Sequence, residues 1–388
     1  MKNNWTTIIA LTILASSCKT GDPKSDVSEQ ATVTSEDGLR YPEPDKELGE
    51  FYHDGELDVA KQIPLVIENQ LRTRYASGQR MMRDAHPKAH GCLKAVFKVN
   101  PDIDSNLAQG VFSKGNQFAA IIRYSNSSGD PTQPDIKGDG RGMAVKLLNV
   151  PGKKILEEAS ESKTQDFIMI NHPVFFASEP KDYLNALKNA DSSSILGKLS
   201  ALNSLGIKGS RIALTIQSKK IASPIQSPYF SEVPYQLGLG DKRQAARYRA
   251  DPCPENGADP VPDNTDDKDY LRHSLINHFK TADACYTISA QLRQDNSMSV
   301  EDSRDEWNSP WVPVATLTMD RKAQNIAESP VTDDARNTAC DTLSFSPWHS
   351  LPEHKPLGAM NRLRKIIYEH ISKFRHQTNK EVRKEPAS

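Results

Sequence analysis

The sequence lacks net charge of either sign. Its 49 Lys and Arg residues stand against 50 Asp and Glu, a formal charge of −1. No overall field steers it toward nucleic acid or an anionic surface. It also lacks a CxxC pair among its five cysteines, which argues against a zinc site. It has no internal repeat, and the apolar run near its start, Ile8 to Ala15, is too short to span a bilayer stably. Hydrophobic residues make up 37% and there are 25 prolines. That balance describes a soluble protein with many irregular connections. A length of 388 residues suits one large domain or two ordinary ones.

The start of the chain is set apart. "MKNNWTTIIALTILASSC" places a Lys, an apolar run and small residues before Cys18, the plan of a bacterial secretory signal. Small residues directly ahead of Cys18 resemble a lipoprotein processing site, with Ala15 where Leu is usual. Residues 1–18 are expected to be an export signal, with Cys18 as a lipidated residue and the only membrane attachment. Ordinary signal cleavage nearby is the alternative. Residues 19–45 are polar and read as a flexible tether, leaving 46–388 as one domain. Export to a periplasmic or outer-membrane site permits disulfides. Cys92, Cys253, Cys285 and Cys340 allow three pairings, or remain as buried thiols.

Residues 56–83 have helical periodicity, with Ile63, Val66, Ile67 and Leu71 on one face. "LKAVFKV", "FAAIIRYS", "GMAVKLLNV", "DFIMINHPVFF", "ACYTISAQLR" and "WVPVATLTMD" read as strands. "SPYFSEVPYQLG" reads as a loop broken by proline, and "DPCPENGADPVPDNTDDKD" as a surface loop. Residues 180–218 are mainly helical, and a last helix covers about 358–376. The class is α+β: an antiparallel sheet closed as a barrel, with helical insertions and a C-terminal helix.

Several segments carry chemistry. His86 lies between a helix and a strand, beside Pro87, where an imidazole can serve as acid and base. His90 is a second, weaker candidate. Strand alternation sets Arg123 and Ser125 on one face and Tyr124 on the other. An Arg pointing into a barrel needs an anion. The bland alternative is a surface salt bridge. Asn171 precedes Pro173 and the pair Phe175 and Phe176. Its amide could orient a small polar substrate or cap the backbone. In the last helix Arg364 and Tyr368 are i and i+4 and share a face. A phenol ionises near pH 10, so a phenolate at neutral pH needs about 4 kcal/mol of help. A guanidinium gives part of it and ferric iron the rest.

Taken in order, "RDAHPK", "IIRYSN…DGRGMAVKLL", "NHPVFF" and "RKIIY" resemble the haem catalase family, and more closely its short bacterial catalase-like branch. The resemblance runs unevenly from about residue 55 onward. It implies a catalase-like barrel and haem b as cofactor, with iron bound by Tyr368 and the phenolate supported by Arg364. It also implies His86 as distal acid–base, oriented by Ser125, with Asn171 aligning the peroxide. Arg83, Arg123 and Arg375 would hold the porphyrin carboxylates, and Phe175 and Tyr183 would pack over the ring. Gly142, Ala144 and Lys146 match a further strand motif. The sequence departs from the family where an Asn-Asn pair is usual, since Ile170 and Asn171 stand there. Ala85 replaces a bulky Val and Glu369 follows Tyr368 where Pro is usual. The sequence closes soon after this helix, so the helical region and threading arms of longer catalases are expected to be absent.

The resemblance therefore implies an oxidoreductase for a small-molecule peroxide, hydrogen peroxide or an organic hydroperoxide. Peroxidase-type turnover is favoured over fast dismutation by Ile170 and Ala85. Two other readings compete: a non-catalytic haem-binding envelope lipoprotein, and a haem-free binding protein with an apolar cavity. A Soret band excludes the last. Loss of turnover in His86→Ala with haem retained separates the first two. Oligomeric state is not legible in the sequence.

Overall fold

The computed structural model describes residues 32–34, 39–156, 162–190, 195–324, 339–383 and 386. The export signal, Cys18 and the first part of the tether lie outside the described residues. The rest of that segment does not all stand apart from the domain. β1 (Thr32–Thr34) pairs with β2 (Arg40–Pro42), and the Tyr41 ring is fully buried with its hydroxyl donating to Glu56.

α1 (Glu56–Arg74) follows. It stops short of the helix expected to residue 83 because Tyr75 turns to extended geometry and Gly78 takes a left-handed φ of 87°. The sheet is then built from β3 (Ala89–Val99), β4 (Gln117–Asn126), β5 (Arg141–Leu147) and β6 (Gln165–Ile170). α2 (Pro180–Ala190), α3 (Ile195–Ser204) and α4 (Gly206–Ser218) interrupt it. β7 (Tyr229–Phe230), β8 (Tyr235–Leu237), β9 (Gln244–Pro252), α5 (Tyr270–Phe279), β10 (Ala284–Leu292) and β11 (Trp311–Met319) complete it. The order β10-β11-β3-β4-β5-β6-β7-β9, with β9 pairing back to β10, closes an antiparallel barrel of eight strands. A C-terminal helix, Ala359–Asn379, packs on α1 and α2.

The two short strands β7 and β8 lie in the segment read as a loop, and β9 and α5 were not expected. Prolines 228 and 234 hide β7 and β8. β9 owes its place to pairing with β10, a long-range contact with no local signature.

Alternation sorts the strands into two faces. Leu93, Ala95, Phe97, Ile122, Tyr124, Met143, Val145, Phe167, Met169, Tyr248 and Tyr286 point inward and form one core. Phe97, Phe112, Phe167 and Tyr248 pack ring on ring there at 5.4–6.2 Å. Each such side chain stabilises the fold by about 1.5–3 kcal/mol. Tyr124, not Arg123, occupies the lumen. Arg123 therefore does not point into the barrel as the sequence suggested. It lies on the outer wall with Cys92, Ser125, Gly142, Ala144, Ile168 and Ile170. That wall carries one part of the candidate site and the C-terminal helix another.

Four cysteines pair as Cys92–Cys340 and Cys253–Cys285, which selects one of the three pairings. Among the described residues, no helix is long and apolar enough to cross a membrane.

Candidate active site

His86 sits just before β3 in a left-handed conformation, φ 63°, which costs strain for a residue with a Cβ. Two neighbours fix its ring. Ser125 Oγ lies 3.0 Å from Nδ1. Gly142, directly across from Ser125, leaves open the space the imidazole fills: a Cβ there would lie 2.6 Å from Cε1 and Nδ1. Only glycine permits this packing. Below the ring, Arg123 donates to the His86 carbonyl at 2.9 Å. Burial, then Arg123, Arg83 and Arg364, push the imidazole pKa down to about 3. His86 is therefore neutral at physiological pH.

On the opposite side, Arg364 Nη2 donates to the Tyr368 hydroxyl at 3.3 Å, and Nη1 to Asn361 at 3.3 Å. Desolvation lowers the pKa of the half-buried Arg364, but Tyr368, Tyr235 and Glu232 hold it above the ordinary value. Glu232 has a left-handed φ of 61°. Its carboxyl is pushed up to about 8 by burial, against the pull of Arg364, Arg247 and Lys219. The His86 and Tyr368 sides are linked electrostatically: Arg364 acts on both, and burial raises the pKa of Tyr183, which also feels Tyr368 and Arg364. Phe175 and Tyr183 meet edge to face at 5.5 Å, and Phe176 lies tilted beside Phe175 at 4.2 Å.

Arg83, Arg123 and Arg375 converge at one end. Arg123 Nε pairs with Asp341 at 2.9 Å. Arg375 Nη1 donates to the Asp341 carbonyl at 2.8 Å, and Arg83 Nη2 to the carbonyls of Asp341 and Leu343 at 3.2 and 2.8 Å. Arg80 pairs with Glu381 beside them. Four guanidinium groups thus meet two carboxylates, an excess of two positive charges. Arg83 Nε and Arg375 Nη2 are buried without a hydrogen-bond partner among the described residues. Burial, and then Arg123 and Arg375, drive the Arg83 pKa well down. Such crowding calls for anions.

Asn171 is placed differently from the expectation of a substrate-facing amide. Its side-chain oxygen accepts the Arg141 backbone N–H at 2.8 Å, and its carbonyl accepts Lys219. It is a corner of the sheet. Ile170 pairs with Gly142 and lies on the His86 face of the wall. His90 is also structural, buried with Nε2 2.7 Å from Asn126 Oδ1. Lys146 is held by Asp166 at 2.8 Å, which His349 also engages at 2.8 Å. Sequence reasoning missed Asp341, Phe345 and Glu232. Phe345 lies 5.7 Å from the Arg83 guanidinium. Asp341 has a signal only in hindsight, as the neighbour of a cysteine bridged to β3.

A closed eight-stranded barrel with a His–Ser pair on its outer wall and an Arg–Tyr pair on a C-terminal helix defines a catalase-like architecture. Residues 64–194 match the family model described as catalase. The fold is similar to that of a fungal catalase, with 15% identity, 94% of this chain and 74% of that one covered, and a TM-score of 0.60. Catalase A from Saccharomyces cerevisiae gives 15% identity, 92% and 74% coverage and 0.56. A bacterial catalase gives 15%, 92% and 67%, and 0.54. A comparison with curated proteins finds no match. Over residues 64–194 the chain is similar to the catalase family model, and its overall fold is similar to that of catalases. Identities this low carry the fold, so the finer chemistry rests on the site.

Proposed function

We propose that the protein is a haem-dependent peroxidase-type oxidoreductase acting on hydrogen peroxide or an organic hydroperoxide, exported and lipidated at Cys18. The observation that carries the reading is the convergence of charge on His86, which Ser125 orients: Arg123, Arg83 and Arg364 all act on its ring, and Arg364 also donates to Tyr368. Haem b suits these residues. Its two carboxylates match the excess of two positive charges and the orphaned donors of Arg83 and Arg375. Tyr368, with Arg364 donating to its oxygen, would hold the iron. When bound, haem supplies the redox chemistry.

The chain's own residues handle protons and access. Ser125 engages His86 Nδ1, so Nε2 faces the substrate. Neutral Nε2 takes a proton from the near peroxide oxygen and returns it to the far one. Phe175, Phe176 and Tyr183 form an aromatic wall that excludes water and suits an apolar substituent. Ile170 lies on the His86 face of the wall and offers no amide there, and the Asn171 side-chain oxygen is committed to the Arg141 N–H. This favours peroxidase-type turnover over dismutation. The neutral His86, held in a strained conformation, favours an enzyme over a passive haem carrier.

The test is spectroscopic and then kinetic. Haemin-loaded protein should show a Soret band that Tyr368→Phe shifts or loses. His86→Ala should keep the band and lose peroxide consumption. A colourless protein that takes up no haemin would refute the reading.

A further inference from the structure

The near-zero net charge hides a local imbalance. Between Ser192 and Ser231 there is no Asp or Glu, while Lys198, Lys208, Arg211, Lys219 and Lys220 are present. This stretch holds α3 and α4. The inner face of α4 is Gly209, Ala213 and Ile216, spaced as one helical stripe and buried. Gly209 is seated so closely on the aromatic wall that a Cβ would lie 2.4 Å from the Phe176 carbonyl oxygen.

The outer face is not what a water-facing helix carries. Ile207 is 94% exposed, Leu214 51%, Leu196 79% and Leu199 56%. Ile207, Arg211 and Leu214 follow one another at i, i+4 and i+7, so cation and apolar side chains share one stripe. Lys198, Lys208, Arg211 and Lys220 are exposed, whereas Lys219 turns inward to Asn171. A nearby acid is Asp302, whose pKa feels Lys208 only after burial and Arg304. Protruding leucine and isoleucine ringed by cations is the pattern of a surface that lies in a bilayer interface.

We infer that the outer face of α3 and α4 docks on an anionic lipid bilayer. Leu196, Leu199, Ile207 and Leu214 enter the headgroup–acyl boundary, and Lys198, Lys208, Arg211 and Lys220 meet lipid phosphates. Charge decides between occupants. A second copy packed through the same face would set these cations against one another, since a two-fold interface pairs a patch with itself. An anionic bilayer neutralises all of them at once. Ile207, almost wholly exposed, projects from the surface and suits a fluid interface. The inference does not depend on haem or on peroxide turnover. It is also separate from any acyl chain at Cys18.

The test uses the full chain carrying Cys18→Ser, so that no acyl chain contributes, sedimented with phosphatidylcholine vesicles with and without phosphatidylglycerol. Binding should be about tenfold or more tighter to the anionic vesicles and should weaken with salt. The pair Leu199→Asp and Ile207→Asp should reduce it about tenfold, as should Lys208→Glu with Arg211→Glu, with circular dichroism unchanged. A Leu214→Trp reporter should shift its emission to the blue on binding. Absence of vesicle binding overturns the inference. So does binding that these variants leave intact, which would place it elsewhere, such as at Ile8–Ala15. Vesicle-independent self-association abolished by the same variants would overturn it in favour of a second copy.

Discussion

Ile170 stands directly opposite Gly142 in the β5–β6 ladder, and the His86 ring occupies the space a Cβ on Gly142 would need. An apolar side chain therefore adjoins the imidazole on the outer wall. Ile170→Asn places an amide there without disturbing Asn171, which is held by Arg141. One hydrogen bond made in the transition state is worth about 1.4 kcal/mol, so oxygen evolution from hydrogen peroxide should rise about tenfold in haem-loaded protein. Unchanged oxygen evolution with correct folding would mean that the residue beside His86 does not set the outcome.

Much of this site was legible because catalytic residue types recur in order along the chain. His86, Ser125, Arg123, Arg364 and Tyr368 each sit in a short segment whose spacing places them on a strand or helix face. Strand alternation correctly separated Arg123 and Ser125 from Tyr124, but it could not say which face was the lumen. Both faces of this wall carry buried side chains, one in the core and one, around Cys92, Ala144 and Ile168, against Cys340 and Phe345. Local pattern likewise could not reveal Asp341 or the partner of Cys92. Their contacts join residues more than 200 positions apart, such as Cys92 and Cys340 at a separation of 248. The short strands β7 and β8 escaped notice because proline and glycine dominate their flanks.

The Cys92–Cys340 bridge should govern haem retention. It fastens the 340–343 segment to β3, and that segment supplies the carbonyls and carboxylate that hold Arg83, Arg123 and Arg375. Cys92→Ala with Cys340→Ala should lower stability by about 2–4 kcal/mol and weaken haemin binding. Cys253→Ala with Cys285→Ala should lower stability but leave haemin binding unchanged, because that bridge joins β9 to β10 away from the cluster. Haemin titration followed at the Soret band distinguishes the two.

Acid should unfold the protein in a defined window. His90 and His354 are buried and held neutral, with burial as the main cause pushing their pKa down to about 4 and about 3. His354 accepts the Val111 N–H at 3.0 Å and lies 3.1 Å from the Tyr248 hydroxyl. In the unfolded chain each imidazole takes a proton below about pH 6.5. The folded state does not, so stability falls as pH drops below that value and stops falling near the folded pKa. Each should cost about 2 kcal/mol between about pH 7 and about pH 5. Urea unfolding across that range should show a falling midpoint with an unchanged slope.

Arg362 should be the most costly single truncation outside the site. Its buried guanidinium meets Glu50 at 2.7 Å, Glu56 at 2.7 Å and Glu301 at 2.9 Å. Three carboxylates around one Arg would leave charge uncompensated, but they have further donors. Glu50 accepts the Gly358 N–H at 2.6 Å and Glu301 the Ala359 N–H at 2.7 Å, so both cap the positive end of the C-terminal helix. Glu56 accepts the Tyr41 hydroxyl at 2.8 Å. Arg362→Leu strands these buried charges and should cost about 3–5 kcal/mol. Arg362 also sets the helix two residues ahead of Arg364. Haemin affinity should therefore fall along with the urea midpoint, and Arg362→Lys should restore only part of each, because an ammonium cannot span three carboxylates as the planar fork does. Full haemin affinity in a destabilised Arg362→Leu protein would show that the Arg364–Tyr368 pair is positioned by the barrel wall alone.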